Sequence, residues 1–205
     1  MTATNDTPKR RQTRSIETEQ RLLAAARSLF SQTGFHDTGT NDVVAKAGAT
    51  RGALYHHFAD KSILFEAVFR QVAGEFYASA NKAAAPLSGD PWKQLIFSVG
   101  EYLRLVASNS EFQRIVLIDG PVVLGWQQWR SIQTEYLLEG LVYTFNMLID
   151  RGIIAKQPTE PLASLIMAAL DDASLSIAHS RTPEETQQQL TAALLSLIKG
   201  LQIRP

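Results

Sequence analysis

The sequence predicts an all-α fold of about nine helices, and three observations carry that expectation. Apolar residues recur at three- and four-residue spacing along most of the chain, no window shows strand-like alternation, and cap-type residues punctuate the periodic segments. The first 14 residues, with Lys9, Arg10, Arg11 and Arg14, lack periodicity and read as a disordered basic arm. From about Thr18, Leu22, Leu23, Ala26, Leu29 and Phe30 define a first helix that Gly34 is placed to end. Thr40, Thr50 and Asp60 then precede two very short helices and a longer one reaching about Ala80, each side chain offering an oxygen to an orphan amide of the first turn. The segment 83–91 is the expected joint between domains, with Asp90 as cap and Pro91 in the first turn. Beyond it, Trp92 to Val106 forms one stripe, Ser110 to Gln113 resembles a capping box for a helix stopping near Gly120-Pro121, and a long helix runs from about Leu124 to Arg151. Two more follow, Pro161 to about Ser180 and one opened by the capping box Thr182 to Glu185.

Composition narrows the function classes. The chain has 205 residues, 20 Lys+Arg against 20 Asp+Glu, no Cys and 45% hydrophobic residues, the profile of a folded globular chain. The longest apolar run, Leu165 to Leu170, falls far short of the roughly 20 residues of a membrane span, and no apolar stretch backs the N-terminal charges, so neither a membrane protein nor a secretory signal is expected. Absence of Cys removes thiolate metal sites and a Cys nucleophile, and permits a reducing cytoplasm. Net neutrality conceals an asymmetry: residues 1–61 hold nine basic and six acidic groups, and the remainder carries the compensating acidic excess. That places a polyanion-facing end before an end with other work.

The turn Ala47-Gly48-Ala49-Thr50 between two short helices, after a longer one, has the make-up of a helix-turn-helix. On 51–58, Leu54, His57 and Phe58 share the face expected to pack, while Gly52, Tyr55 and His56 look outward. Arg51 can fork onto a guanine edge, Gly52 permits close approach, and Thr40, Thr50, Tyr55, His56 and Lys61 complete the set of expected DNA contacts. The adjacent His56 and His57 face different ways and have no third ligand at helical spacing, so no metal is expected.

The stretch from Thr40 to Phe65, and above all Leu54-Tyr-His-His-Phe-Ala-Asp-Lys61, resembles the DNA-binding domain of the TetR family of bacterial transcriptional regulators, over about Thr18 to Val72. Val44 departs from the Ala common there. Residues Asp119 to Tyr136 resemble the C-terminal domains of some members more weakly. The resemblance implies a helix-turn-helix domain over 15–61, a linking helix over about 60–80, and a domain over 81–205 that binds a small molecule and forms a homodimer through its last two helices. It makes a palindromic double-stranded DNA operator the expected partner, and no cofactor is expected.

For the dimer face the last two helices offer Leu165, Ala169, Ala173 and Ile177, then Leu190, Leu194, Leu197 and Leu201, at three- and four-residue spacing. For a ligand pocket the expected residues are Phe112, Trp126, Trp129, Tyr136, Asp172 and His179, from an aromatic-rich region with few polar groups. Two other classes stand beside a ligand-released repressor. One is an all-α enzyme, against which no nucleophile elbow, phosphate-cradling loop or metal spacing is present; the other is an effector-independent DNA binder.

Overall fold

A computed structural model describes residues 8–84 and 89–203, which fold into two compact units, Met1–Arg70 and Gln71–Pro205. Among the described residues the regular elements are helical, and counting the contiguous run 110–124 as one element gives nine helices. The only β pairing among them is the isolated bridge of Ile154 with Gln202.

The first unit contains α1 (Pro8–Thr33), α2 (Thr40–Ala47), α3 (Arg51–His57) and the start of α4 (Lys61–Ala84). Helix α1 begins within the stretch expected to be an unstructured arm; residues 1–7 of that stretch lie outside the described residues. The reason is the Thr18-to-Phe30 register, onto which 8–14 add two turns at no nucleation cost. Leu22, Ala25, Ala26 and Phe30 are buried along one stripe of α1. Gly34 ends it at φ 85°, its N–H donating to Phe30 O at 3.0 Å, a conformation that disfavours a side chain. Phe30, Phe35 and Phe65 then pack with ring centroids 5.2 to 5.8 Å apart. Val43 is the buried valine of α2, and Val44, the departure from the family's usual residue, is half-buried.

The second unit holds the rest of α4, α5 (Pro91–Ser108), α6 (Ser110–Phe112), a π-helical stretch Gln113–Asp119, α7 (Gly120–Leu124), α8 (Trp126–Asp150), α9 (Thr159–His179) and α10 (Pro183–Lys199). Asp90 caps α5 as expected, Oδ1 accepting from the Trp92 and Lys93 amides at 3.0 and 3.2 Å. The expected capping box at Ser110 is replaced by Asn109, whose Oδ1 accepts from the Phe112 amide at 2.9 Å. Gln113 instead turns its Nε2 to the last carbonyls of α5, Val106 O at 2.7 Å and Ala107 O at 3.1 Å. The helix also continues through Gly120-Pro121, where a stop was expected. Proline falls in the first turn of α7, following the π-helical stretch, where its missing N–H is least needed. Gly125, at φ 77°, makes the break into α8. Trp129 is wholly buried there, its indole N–H donating to Val116 O at 2.7 Å.

The capping box expected at Thr182 is not formed either; Thr182 gives its amide to Ser180 Oγ at 3.0 Å, and Ser180 Oγ meets Thr186 Oγ1 at 2.7 Å. Helix α9 has the length and apolar content of a membrane span, but Ala163, Ile166, Met167, Leu170, Ala173 and Ile177 are buried within this unit, where α9 packs against α5, α8 and α10.

Candidate nucleic-acid interface and ligand cavity

In the first unit the corner is built as the residues dictate. Gly48 takes φ 58°, the left-handed region, and closes α2 with its own and the following amide, Gly48 N–H to Ala45 O at 3.3 Å and Ala49 N–H to Val44 O at 3.0 Å. Two residues on, Thr50 Oγ1 accepts from the Ala53 amide at 3.1 Å and starts α3. Arg21 of α1 reaches Gly48 O at 3.4 Å, fixing the corner to the first helix.

Helix α3 sorts its faces as the periodicity requires. Leu54 and Phe58 are buried and His57 nearly so, with His57 Nδ1 3.7 Å from Glu19 Oε2 of α1. Arg51, Gly52, Tyr55 and His56 are exposed. The Arg51 guanidinium lies 5.8 Å from the centroid of the Tyr55 ring, and nothing stands within 4 Å of where a Gly52 side chain would begin. The Thr40 side chain, and after it Arg51, hold the Tyr55 phenol below its ordinary pKa. Arg51 and Tyr55, both exposed, thus share an electrostatic environment with the half-buried Thr40 at the start of α2, and the open Gly52 is exposed on the same helix. An exposed helix with a guanidinium, a phenol and a bare backbone position suits a major groove and its flanking phosphates.

Lys61 has a structural role beside the expected phosphate contact: its ammonium donates to Phe35 O at 2.8 Å and Thr38 O at 2.9 Å and lies 4.1 Å from the centroid of the Phe35 ring. The loop 34–39 turns its carbonyls inward at the N-terminus of α4, and the lysine is the cation that meets them. Lys61→Met is expected to lower stability by about 1–2 kcal/mol, because two part-buried carbonyls lose a charged donor. Urea denaturation checks the loss, and the salt slope of DNA binding discriminates: a phosphate contact predicts a drop of about 0.9, a structural pin predicts none.

In the second unit a cavity of about 340 Å³ lies among α4, α5, α8 and α9. Tyr77, Tyr102, Tyr136 and Leu170 are on its wall, with Gln94, Ser98 and Thr144 as neutral polar groups. Of the residues expected from sequence, only Tyr136 lines it. Phe112 and Trp129 are core residues with no exposed surface, Phe112 stacking on Phe76 at 3.7 Å. Trp126 is 54% exposed, and Asp172 and His179 face outward, His179 Nδ1 meeting Leu175 O at 2.8 Å. The buried aspartate is its neighbour Asp171, whose Oδ2 meets Arg130 Nη1 at 2.9 Å. Sequence reasoning missed Tyr77 and Gln133, which sit beside each other in the core.

The apolar stripes of α9 and α10 divide. Ala173, Ile177 and Leu194 are buried within the unit, so they fill its own core and are unavailable to a second copy. Leu165 and Leu197 are each 69% exposed, with Ala169, Leu190 and Leu201 half-buried. A three- and four-residue pattern alone does not separate the inward side of such a helix from its outward side.

The geometry of the corner and of α3 is matched by comparison with known proteins. Residues 22–68 match the family described as bacterial regulatory proteins, tetR family, and residues 92–201 match the tetracyclin repressor-like C-terminal domain. The chain belongs to the TetR family. A solved TetR-family transcriptional regulator from Pectobacterium atrosepticum is similar, with TM-score 0.82 and 36% identity over 94% of this chain and 98% of that one. The Transposon Tn10 TetC protein of Escherichia coli is 26% identical over 73% of this chain and 74% of its own length. The regulator AcrR of Shigella flexneri is 39% identical over 75 residues, which span 37% of this chain and 35% of that protein. This TetR-family chain is a DNA-binding transcriptional regulator rather than an enzyme, and its helix-turn-helix is α2 and α3.

Proposed function

We propose that the protein is a cytoplasmic homodimeric repressor that binds a palindromic operator through α3 and is released from it when a small molecule fills the cavity of the second unit. The observation that carries the ligand half of this reading is the cavity itself: about 340 Å³, lined mostly by apolar and aromatic surface with a few neutral polar groups. Arg51, Gly52, Tyr55 and His56, exposed together on α3, support the DNA half, with Thr40 and Thr50 at the adjoining helix starts. The exposed Leu165 and Leu197 support a second copy against α9 and α10, and a two-fold dimer pairs two recognition helices with two half-sites one DNA turn apart. Helix α4 begins at Lys61 in the DNA-binding unit and continues to Tyr77, which lines the cavity of the second unit, so the chain passes directly from one end of the response to the other. Ligand and operator then oppose each other to the same extent, each weakening the other's affinity by one coupling factor.

The test uses an operator selected from a random-sequence DNA pool and a screen of small hydrophobic compounds by thermal shift. Compounds that raise the melting temperature are expected to weaken operator binding, read by fluorescence anisotropy. Operator affinity unchanged at saturating compound establishes the effector-independent reading in its place, and failure of the pool to yield any preferred sequence overturns the role given to α3.

A further inference from the structure

The cavity wall draws matching rows from two helices. On α8 it takes Tyr136, Gly140 and Thr144, and on α5 Gln94, Ser98 and Tyr102, so each row spans about 12 Å. Tyr102 and Tyr136 both pack on Tyr77, with ring centroids 6.2 and 4.9 Å away. At the other end Arg151 Nη1, just past α8, donates to Gly89 O, just before α5, at 3.1 Å, so the two helices run antiparallel. The cavity is therefore a slot along both helices, with the tyrosines at one end and Gln94, Ser98 and Thr144 at the other. Tyr77 and Tyr102 are buried, whereas Gln94, Ser98 and Thr144 are half-buried and Asn81, one turn beyond Tyr77 on α4, is exposed. The slot opens at its polar end.

Gly140 lies in the middle of the α8 row. At about 100° per residue it falls between Tyr136 and Thr144 around the helix, so a side chain there would project into the slot. Nothing stands within 4 Å of where that side chain would begin. Glycine weakens a helix interior that alanine would strengthen, and no neighbour here forbids alanine; what glycine provides is open width at the midpoint of the slot. By proportion to the ~150 Å³ cavity that accepts benzene, about 340 Å³ holds about 13 non-hydrogen atoms. Spread along two antiparallel rows, they make a rod rather than a disc or a ball. Every side chain on the wall is neutral, so an ion inside would leave water with nothing to balance it.

We propose that the slot takes an uncharged, rod-shaped amphiphile about 12 Å long, its apolar body passing over Gly140 to the tyrosines and its single hydroxyl or carbonyl head held by Gln94 and Thr144. The inference rests on reading this cavity as the effector site, and names the chemical class of that effector. Thr144 Oγ1 gives its proton to Gly140 O at 2.8 Å, which leaves the oxygen to accept from a guest. The Gln94 amide, its Nε2 3.4 Å from Ser98 Oγ, adds a donor and an acceptor at the same end.

The test is calorimetric titration of the full chain, without DNA, with hexanol, octanol, decanol, dodecanol, decanoate, decylammonium, and adamantanol, a ball with as many non-hydrogen atoms as decanol. Affinity is expected to rise roughly fourfold per CH₂ from hexanol to decanol and then to level off. Decanol is expected to bind at least about tenfold more tightly than adamantanol or either ion. Gly140→Leu is expected to weaken decanol at least about tenfold and hexanol less than about threefold, and to melt no lower than the parent. Gln94→Met and Thr144→Val, which keep shape and remove polar atoms, are each expected to weaken decanol about threefold to tenfold. No binding of decanol, no rise with chain length, adamantanol or an ion binding as tightly as decanol, a Gly140→Leu protein that melts below the parent, or unchanged decanol affinity in the three variants each overturns the proposal. Failure of the effector reading looks different: decanol binds as described and leaves the operator complex undisturbed.

Discussion

Replacing Arg130 with Met is expected to cost about 3–5 kcal/mol at pH 7.5 and markedly less at pH 5, because it strands the Asp171 carboxylate in the core. Asp171 is 2% exposed on α9, and its Oδ2 meets Arg130 Nη1 on α8 at 2.9 Å. Burial outweighs that attraction and pushes the carboxyl up to about 6 from an ordinary value of 3.8. A raised native value means that the folded state holds the proton more tightly than the unfolded chain. This group's contribution is therefore most favourable below about pH 4 and is lost as pH rises through 6. Without Arg130 the native value climbs further, so the loss extends into the neutral range. At pH 5 both forms are largely protonated and the variant approaches the parent. Urea denaturation at the two pH values measures the difference, and equal deficits at both would remove the stranded charge as the cause. Arg130→Met combined with Asp171→Leu is expected to recover most of the stability, since the buried charge then goes with its partner.

What could be read from sequence follows the range over which each residue's environment is set. The faces of α3 were legible because they depend on a local period and a local cap: Thr50 fixes where the helix starts, and Leu54 and Phe58 then turn inward together while Arg51 and Tyr55 turn out. The structural role of Lys61 was not legible because its carbonyl partners lie 23 and 26 residues earlier, and nothing in the first turn of α4 announces them. Asp171 and Asp172 are neighbours of the same type, and the packing of α9 on α8 alone decides which is buried and which faces water. The same limit applies to Leu194 and Leu197, one buried and one exposed on adjacent turns of α10. The π-helical stretch has no side-chain signature at all, yet it carries the helix past Pro121 and presents Val116 O to the Trp129 indole. Phe112 and Trp129, two of the aromatics expected at the pocket, were thereby drawn into the core, leaving the cavity wall to the expected Tyr136 with Tyr77 and Tyr102, which a count of aromatics does not distinguish from them.

Arg51→Ala is expected to weaken operator binding by roughly 30-fold to 10⁴-fold. A forked arginine contact to a base edge is worth about 1–3 kcal/mol, and the proposed two-fold dimer would lose it in both half-sites. The position supports so large an effect: Arg51 opens α3, is exposed, and packs its guanidinium 5.8 Å from the Tyr55 ring, which restricts the orientations of its planar fork. Arg51→Lys separates the two ways in which the residue could act. Lysine keeps the charge and loses the fork, so nonspecific affinity and salt slope should persist while discrimination between operator and scrambled DNA collapses. With 20 basic groups balanced by 20 acidic ones, the chain has little general attraction for DNA to fall back on. Loss of base contacts should therefore take binding close to the nonspecific level rather than to an intermediate plateau. Anisotropy titrations on both DNAs at two salt concentrations read this directly, and an Arg51→Lys protein that discriminates like the parent would make Arg51 a phosphate contact and move the reading of sequence elsewhere on α3.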